Sequence, residues 1–383
     1  MSVGRPCRVM MVAGEASGDL YGAGLIKAVH ASDPTIQFFG IGGKMMREAG
    51  AETLVDSSDM AVVGLVEVLR HFNVIAAAFS KLKRILLTTP PDLLILIDYP
   101  GFNLRLANVA RKAGVKVLYY ISPQIWAWRQ GRVRKIKQLV DHMAVILPFE
   151  APFYERAGVP VTFVGHPMAD LVKVDRSRHG AALSFGLDPT RPVVGLFPGS
   201  RKGEVSRLLP TILAAAQIIK QHHPEVQFVL PLASTLHEED LAPHLAAATV
   251  KVTIVHERIH DLIRACTAVI SVSGTVTLEI ALVGTPLVII YKLSPLTFCL
   301  AKHLVKVEHI GLCNIVAGET VAHELIQDQA SPENIAAEIS TMLSEEIYRS
   351  ELETKLSKVQ TKLTGGADGS VAGIVLDMLI EAH

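Results

Sequence analysis

The sequence predicts an α/β protein of two Rossmann-like, doubly wound domains facing a cleft, with C-terminal helices crossing back. Three observations carry this expectation. Short apolar runs alternate with amphipathic segments along nearly the whole chain, the βαβ rhythm of parallel sheets. Most of the runs are β-branched or leucine-rich without alternation, as in strands buried on both faces. One charged and polar stretch, residues 173–191, ends in Asp-Pro-Thr-Arg-Pro and breaks the rhythm, so it reads as an interdomain linker. At 383 residues the chain is also longer than one ordinary α/β core requires.

Taken in order, the first domain (1–172) has strand candidates at 8–13, 36–41, 93–98, 116–121, 142–147 and 161–164. The second (192–345) has them at 193–197, 226–231, 250–255, 268–272 and 286–291. Segments 103–113, 205–221, 258–265 and 275–283 supply crossover helices. From about residue 346 the strand rhythm stops, and helical segments 346–363 and 370–382, separated by Gly365-Gly366, are expected to pack back on the first domain. In such sheets ligands bind beyond the carboxyl ends of the strands, so the loops after the strands are where chemistry is expected.

Composition narrows the function. Half the residues are apolar, 19% are charged and the formal net charge is zero. That balance argues against a general nucleic-acid binder. The cysteines, Cys7, Cys266, Cys299 and Cys313, show no metal-ligand spacing and read as reduced thiols of a cytoplasmic protein. Residues 8–13 are too short for a signal segment and read as a buried first strand. No apolar stretch approaches the ~18 residues that span a bilayer, although a mean hydropathy of +0.35 leaves room for lying on one. The sequence also leaves room for a homodimer.

The most informative loop is Ser273-Gly274-Thr275, which ends the apolar run from Ala268 and opens a helical pattern bearing Glu279. A strand that becomes a helix at such a turn offers free backbone N–H groups and a positive dipole end, a ready diphosphate site. Glu279, in the first turns, can reach the sugar hydroxyls of a nucleotide. The combination asks for a nucleoside diphosphate and for neither a metal ion nor a cofactor. Pro198-Gly199-Ser200-Arg201, after strand 193–197, lacks the Walker A pattern but sets an arginine at a helix start, a second anion pocket. Arg201 can neutralise a departing diphosphate there; the bland alternative is a turn.

Gly14-Glu15-Ala16-Ser17-Gly18-Asp19, after the first strand, is not G-x-G-x-x-G, which speaks against a dinucleotide. Its Glu15, Ser17 and Asp19 are more polar than turning requires, and Gly18 permits close approach of a ligand. Asp98, at the carboxyl end of Leu93-Leu-Ile-Leu-Ile, is placed to take a proton from an acceptor hydroxyl; otherwise it caps or turns before Pro100. Asn103 stands ready to cap the next helix. Ser122 to Arg129 holds both tryptophans, Trp126 and Trp128, and continues into Arg132, Arg134, Lys135 and Lys137. The aromatics suit either a sugar or acyl site or the core. Asn314, in Gly311-Leu-Cys-Asn, can close over a nucleotide, and His166 reads as a packed histidine. Residues 62–79 are apolar over most of a helical circumference and precede Lys81, Lys83 and Arg84, which suits burial or an interfacial segment on anionic lipid.

Together, GEASGDLYGAGLI (14–26), FFGIGGKMM (38–46), IDYPGFNLRLA (97–107), YYISPQIWAWRQGRVRKIK (119–137), VGHPMAD (164–170), LFPGSRKGEVSRLLP (196–210) and SGTVTLE (273–279) closely resemble the lipid-A-disaccharide synthase family. The resemblance runs from about residue 8 into the C-terminal helices. It implies a GT-B glycosyltransferase, peripheral to the inner face of the cytoplasmic membrane. Such an enzyme moves 2,3-diacylglucosamine from UDP-2,3-diacylglucosamine to 2,3-diacylglucosamine 1-phosphate (lipid X), with inversion. It also implies acyl chains and acceptor on the first domain and UDP on the second. Asp98 is then the candidate base with Glu15 as competitor, Arg201 and 273–275 hold the leaving group, and Asn314 and Glu324 belong to the nucleotide loop. The same resemblance favours membrane contact through 62–79. Cys313 and His323 stand where the family commonly has proline. The rivals are another UDP-sugar enzyme of this fold, a 2-epimerase or lipid-II-forming transferase, and a non-catalytic nucleotide-sugar or lipid-binding protein. An epimerase has no lipid for 62–79 to host, and a binding protein has no use for Asp98 and Arg201.

Overall fold

The computed structural model describes residues 6–60, 65–128, 130–293, 308–364 and 370–381, without the side chains of 65–72 and 128. The chain forms two compact units, one of residues 1–167 with 365–383 and one of residues 168–364.

The first unit is a seven-stranded parallel sheet in the order β3-β2-β1-β4-β5-β6-β7. Its strands are β1 (Arg8–Ala13), β2 (Gln37–Gly42), β3 (Glu52–Asp56), β4 (Leu93–Ile97), β5 (Lys116–Tyr120), β6 (His142–Val145) and β7 (Val161–Phe163). The connecting helices are α1 (Ala16–Ser32), α2 (Lys44–Glu48), α3 (Leu65–Thr88), α4 (Pro100–Lys112), α5 (Ile125–Trp128), α6 (Val133–Leu139) and α7 (Glu150–Arg156). Val9 to Ala13 and Leu93 to Ile97 are at most 1% exposed, which explains their unbroken apolar runs: helices cover both faces. Each such aliphatic contributes about 1.5–3 kcal/mol on burial. Glycine is required at Gly40, where φ is +146° and a Cβ would stand 2.1 Å from the Met11 carbonyl oxygen.

The second unit repeats the order without the last strand, β10-β9-β8-β11-β12-β13, again all parallel. Its strands are β8 (Val193–Phe197), β9 (Gln227–Pro231), β10 (Val252–Val255), β11 (Ala268–Val272), β12 (Leu287–Tyr291) and β13 (His323–Ile326). Its helices are α8 (Met168–Leu171), α9 (Arg178–Ser184), α10 (Lys202–His222), α11 (Glu238–Ala246), α12 (Ile259–Ala265), α13 (Val276–Val283), α14 (Leu312–Ala317), α15 (Pro332–Ser344) and α16 (Glu346–Leu363). In both sheets the strand order reverses beside the first strand. The loops after β1 and β4, and after β8 and β11, are therefore the switch-point loops where ligands bind.

Three expectations are corrected. Residues 173–191 are not a free linker: α9 buries Ala181 and Ala182 against α12, and Arg176 pairs with the buried Asp261 at 3.0 Å. The C-terminal helices do not travel together. Helix α16 buries Leu352, Leu356, Val359 and Leu363 along one stripe and packs on α13, α14 and α15 of the second unit. Only α17 (Val371–Ile380) joins the first unit, against α1 and β5, with Lys116 bonded to Glu381 at 2.9 Å. Strands β3 and β13 were missed because each sets only two consecutive apolar residues beside charged ones, too short a run to read as a buried strand.

Helix α3 continues to Thr88, past the expected end of the 62–79 segment. Residues 61–64 and the side chains of 65–72 lie outside the described residues, so most of that segment's apolar face does too. Of the described side chains, Ala78 within the segment and Leu82 and Leu86 beyond it are buried in the core, while Lys83, Arg84 and Leu87 are exposed. No helix among the described residues is long and apolar enough to cross a membrane.

Candidate active site

In the second unit, a cavity of about 380 Å³ opens at the switch point, lined by Gly199, Ser200, Arg201, Ser273, Gly274, Thr275 and Glu279 among others. The sequence-expected anion loops thus meet. Gly199 takes φ +107° and a Cβ there would stand 2.6 Å from Glu204 Oε2, so only glycine lets the chain turn this tightly into α10. Arg201 occupies the N-cap position of α10 and Thr275 that of α13, so two helix N-termini face the cavity. In the turn before α13, Thr277 N is the first donor bonded within it, reaching Gly274 O at 3.1 Å. Ser273 N continues the sheet by donating to Ile290 O at 3.2 Å, so the N–H groups of Gly274, Thr275 and Val276 are the ones left for a ligand.

Among the described residues Arg201 pairs with Glu204 alone, at 3.0 Å, with side chains 66% and 37% exposed. Such a pair contributes about 0–1 kcal/mol, so a phosphate can draw the guanidinium away at little cost. Glu279 is bonded to His260 Nε2 at 3.2 Å. The imidazole fixes one carboxylate oxygen and leaves the other for hydroxyl donors. His260, with His256 and Glu257 in the cavity wall, was missed. These residues follow β10, whose loop carries no glycine or helix-start signal of the kind that marks the others.

Asn314 and Glu324 are not in the lining of this cavity. Asn314 is fully buried; its amide donates to Ala322 O and Glu324 Oε1, both at 2.7 Å, and accepts from Val321 N and Ala322 N. Glu324 also accepts from Ile310 N and Gly311 N, each at 2.9 Å. Their polar atoms are thus engaged in clasping the loop before α14 to β13. They touch the site only at one remove, since the Ile310 carbonyl of that loop accepts the Ser273 hydroxyl at 2.9 Å.

In the first unit the loops after β1 and β4 pack together: the Tyr99 ring lies so close to Gly14 that a Cβ there would stand 2.7 Å from it. Asp98 and Tyr99 both adopt left-handed backbone, φ 43° and 46°. Such conformations cost non-glycine residues about 1–3 kcal/mol each and gather at functional sites. Burial, and then the negative charge of Glu15, push the Asp98 carboxyl up to about 6. Glu15, Ala16 and Ser17 are exposed, while Gly18 is buried, and a Cβ there would stand 3.3 Å from the Ala13 Cβ of β1.

Two expected roles on this side change. Asp19 is buried and its carboxylate accepts from Gly43 N, Met45 N and Met46 N at 2.6–3.1 Å, capping α2 from outside. Asn103 does not cap α4, which begins earlier, at Pro100; its amide reaches back to the carbonyls of Ile97 and Asp98 at 3.1 and 2.7 Å.

The tryptophan loop resolves in part. Trp126 is core: its ring meets Phe149 edge-on at 4.8 Å and its Nε1 donates to Glu150 Oε1 at 3.1 Å. Glu150 is fully enclosed, also accepting from the Ser122 hydroxyl and Leu147 N, and burial pushes its carboxyl up to about 7. The Trp128 side chain and Arg129 lie outside the described residues. His166 is packed edge-on to Tyr21, and burial pulls it down to about 4, so it stays neutral. Among the described residues no group of three His, Cys, Asp or Glu side chains is placed to hold a metal ion.

Comparison with known proteins adds the following. A family model described as lipid-A-disaccharide synthetase matches residues 9–371. The lipid-A-disaccharide synthase of Trichlorobacter lovleyi is 73% identical over 380 residues, covering 99% of each chain. Among solved structures, a UDP-GlcNAc 2-epimerase from Neisseria meningitidis bound to UDP-GlcNAc superposes with a TM-score of 0.64 at 13% identity, covering 98% of this chain and 100% of the other. The calicheamicin glycosyltransferase CalG4 superposes at 0.61 and 15%, covering 99% of both. The two-sheet architecture is thus the one that nucleotide-sugar epimerases and GT-B glycosyltransferases share.

Proposed function

The chain belongs to the lipid-A-disaccharide synthetase family, and from that premise we propose that it joins two acylated glucosamines. It is a glycosyltransferase of lipid A biosynthesis, moving 2,3-diacylglucosamine from its UDP derivative to 2,3-diacylglucosamine 1-phosphate. The products are the β-1,6-linked disaccharide 1-phosphate and UDP. Because the donor is α-linked, a β product requires a single in-line displacement. The acceptor 6-oxygen bonds to the donor anomeric carbon, the bond to the diphosphate oxygen breaks, and the electron pair leaves with UDP.

The observation that carries this reading is the second unit's cavity, where Gly199–Arg201, Ser273–Thr275 and Glu279 converge. The free N–H groups before α13 bind the diphosphate, and Arg201 neutralises the charge that grows on it as it departs. Donors fixed by the fold need not reorganise during the reaction, so they stabilise that charge without a metal ion. Glu279, oriented by His260, accepts from the ribose hydroxyls. Within the first unit, Asp98 takes the proton from the acceptor hydroxyl. A carboxylate raised to about 6 remains ionised at pH 7 yet is more basic than usual, which suits a general base. Glu15, the competing base, is solvent-exposed and serves chiefly to raise Asp98.

Both substrates carry acyl chains, so the enzyme works at the inner face of the cytoplasmic membrane. Residues 62–79 make the apolar contact, and Lys83 and Arg84 meet anionic headgroups. Reversing both charges, Lys83→Glu with Arg84→Glu, weakens binding to anionic vesicles; unchanged binding removes these residues from the membrane surface. The reaction itself is tested with purified chain, UDP-2,3-diacylglucosamine and the monosaccharide phosphate in EDTA. UDP and disaccharide should appear in equal amounts and only with both lipids present. Release of UDP without acceptor, or a need for divalent metal, contradicts the reading.

A further inference from the structure

The Asp98 backbone is held by more than its own turn. Asp98 N continues the sheet by donating to Tyr120 O at 3.2 Å, but positive φ then swings the next part of the chain out of the ladder. The Asp98 carbonyl oxygen is met by two buried donors from different elements. One is the Tyr119 hydroxyl on β5, at 2.6 Å; the other is the Asn103 amide on α4, at 2.7 Å. Tyr119 and Asn103 are both 0% exposed. Phenylalanine and leucine would fill the same space without carrying polar atoms into the core, where each must find a partner or destabilise the fold. Both side chains spend their donors on the same strand end, and Asn103 also secures Ile97 O.

We infer that Tyr119, acting with Asn103, is a positioning residue that locks the left-handed turn at Asp98 and so fixes where the base stands. The inference rests on the reading of Asp98 as the proton acceptor and deepens it. Without the lock, the turn relaxes toward ordinary extended backbone, because its left-handed form is the costly one. The carboxylate then leaves its partly desolvated position beside Glu15. The ionisable groups that face it are Glu15 from the loop after β1, Tyr99 from its own turn and Tyr119 from β5, with Tyr154 of α7 behind Tyr119.

The test is the pH dependence of kcat/KM, with kcat, for wild type, Tyr119→Phe and Asp98→Asn, and with the KM for the UDP donor and the thermal midpoint measured alongside. Tyr119→Phe removes one hydroxyl from a residue that otherwise packs unchanged. It should lower kcat roughly tenfold, the order expected for one buried hydrogen bond and a displaced base, while the donor KM stays within about twofold. The acid limb of the kcat/KM profile, which reports the free enzyme, should move down from about 6 toward the ordinary carboxylate range. A limb that stays in place, or a kcat equal to wild type, overturns the positioning role. If wild type shows no limb near 6 and Asp98→Asn keeps its kcat, the base assignment fails first and the inference falls with it. Should Tyr119→Phe fold poorly, Asn103→Leu provides the same readout from the other donor.

Discussion

At the scale of single residues, Asp98 combines chemistry with a cost in stability. Its folded value of about 6 lies above the ordinary 3.8, so between those values the folded chain keeps a proton that the unfolded chain has released. Stability therefore falls as pH rises through that window, and the full cost is present at pH 7. Asp98→Asn should raise stability at pH 7 by on the order of 1–3 kcal/mol, and lower kcat by roughly a hundredfold or more while UDP affinity holds. Thermal unfolding at pH 4 and pH 7, together with steady-state kinetics, checks both halves. A variant that is less stable at pH 7 than wild type, or weakened chiefly in UDP binding, would show Asp98 to be part of the scaffold instead. That Asp98, Arg201 and Glu279 stand beyond the carboxyl ends of buried strands was legible in the sequence, because each follows an apolar run that reads as a buried parallel strand. Asp19, Asn103, Asn314 and Glu324 were legible as unusual but not by role. A buried carboxylate that clasps backbone N–H groups and one that waits for a ligand look alike until their donors are placed.

Among the elements, α13 and the segment that leans on it matter most. Its N-terminus meets the cavity, and the Ser273 hydroxyl just before it is bonded to the loop that Glu324 and Asn314 clasp. Glu324→Gln replaces an oxygen that accepts N–H groups with an amide that cannot accept at every position. It should destabilise the second unit by about 1–3 kcal/mol and weaken UDP binding without moving the acid limb that belongs to Asp98. Denaturant melts and calorimetric UDP titration give the two values; intact UDP affinity in a destabilised variant would confine the clasp to folding alone. The central strands were revealed by Val, Ile and Leu runs that need no alternation because helices cover both faces, and the edge strands β7 and β10 by shorter β-branched runs. Strands β3 and β13 escaped notice because each sets only two consecutive apolar residues beside charged ones. The Lys173–Arg191 stretch misled in the same way: charged and proline-bounded like a linker, it still buries two alanines of α9.

For the molecule as a whole, the repeated strand order gives one chain two switch points. Each sheet has its own switch point, and each switch point presents loops of a different chemistry: carboxylates after β1 and β4, an anion cavity after β8 and β11. The return of α17 to the first unit ties the end of the chain to its beginning. The central claim is a single displacement in which UDP leaves from the second unit's cavity as the acceptor hydroxyl attacks. The most direct measurement is the anomeric configuration of the disaccharide that the purified chain makes from its α-linked UDP donor, read by NMR. The account predicts a β-1,6 linkage formed in one step; an α linkage, or a glycosyl group left on the protein, would contradict it.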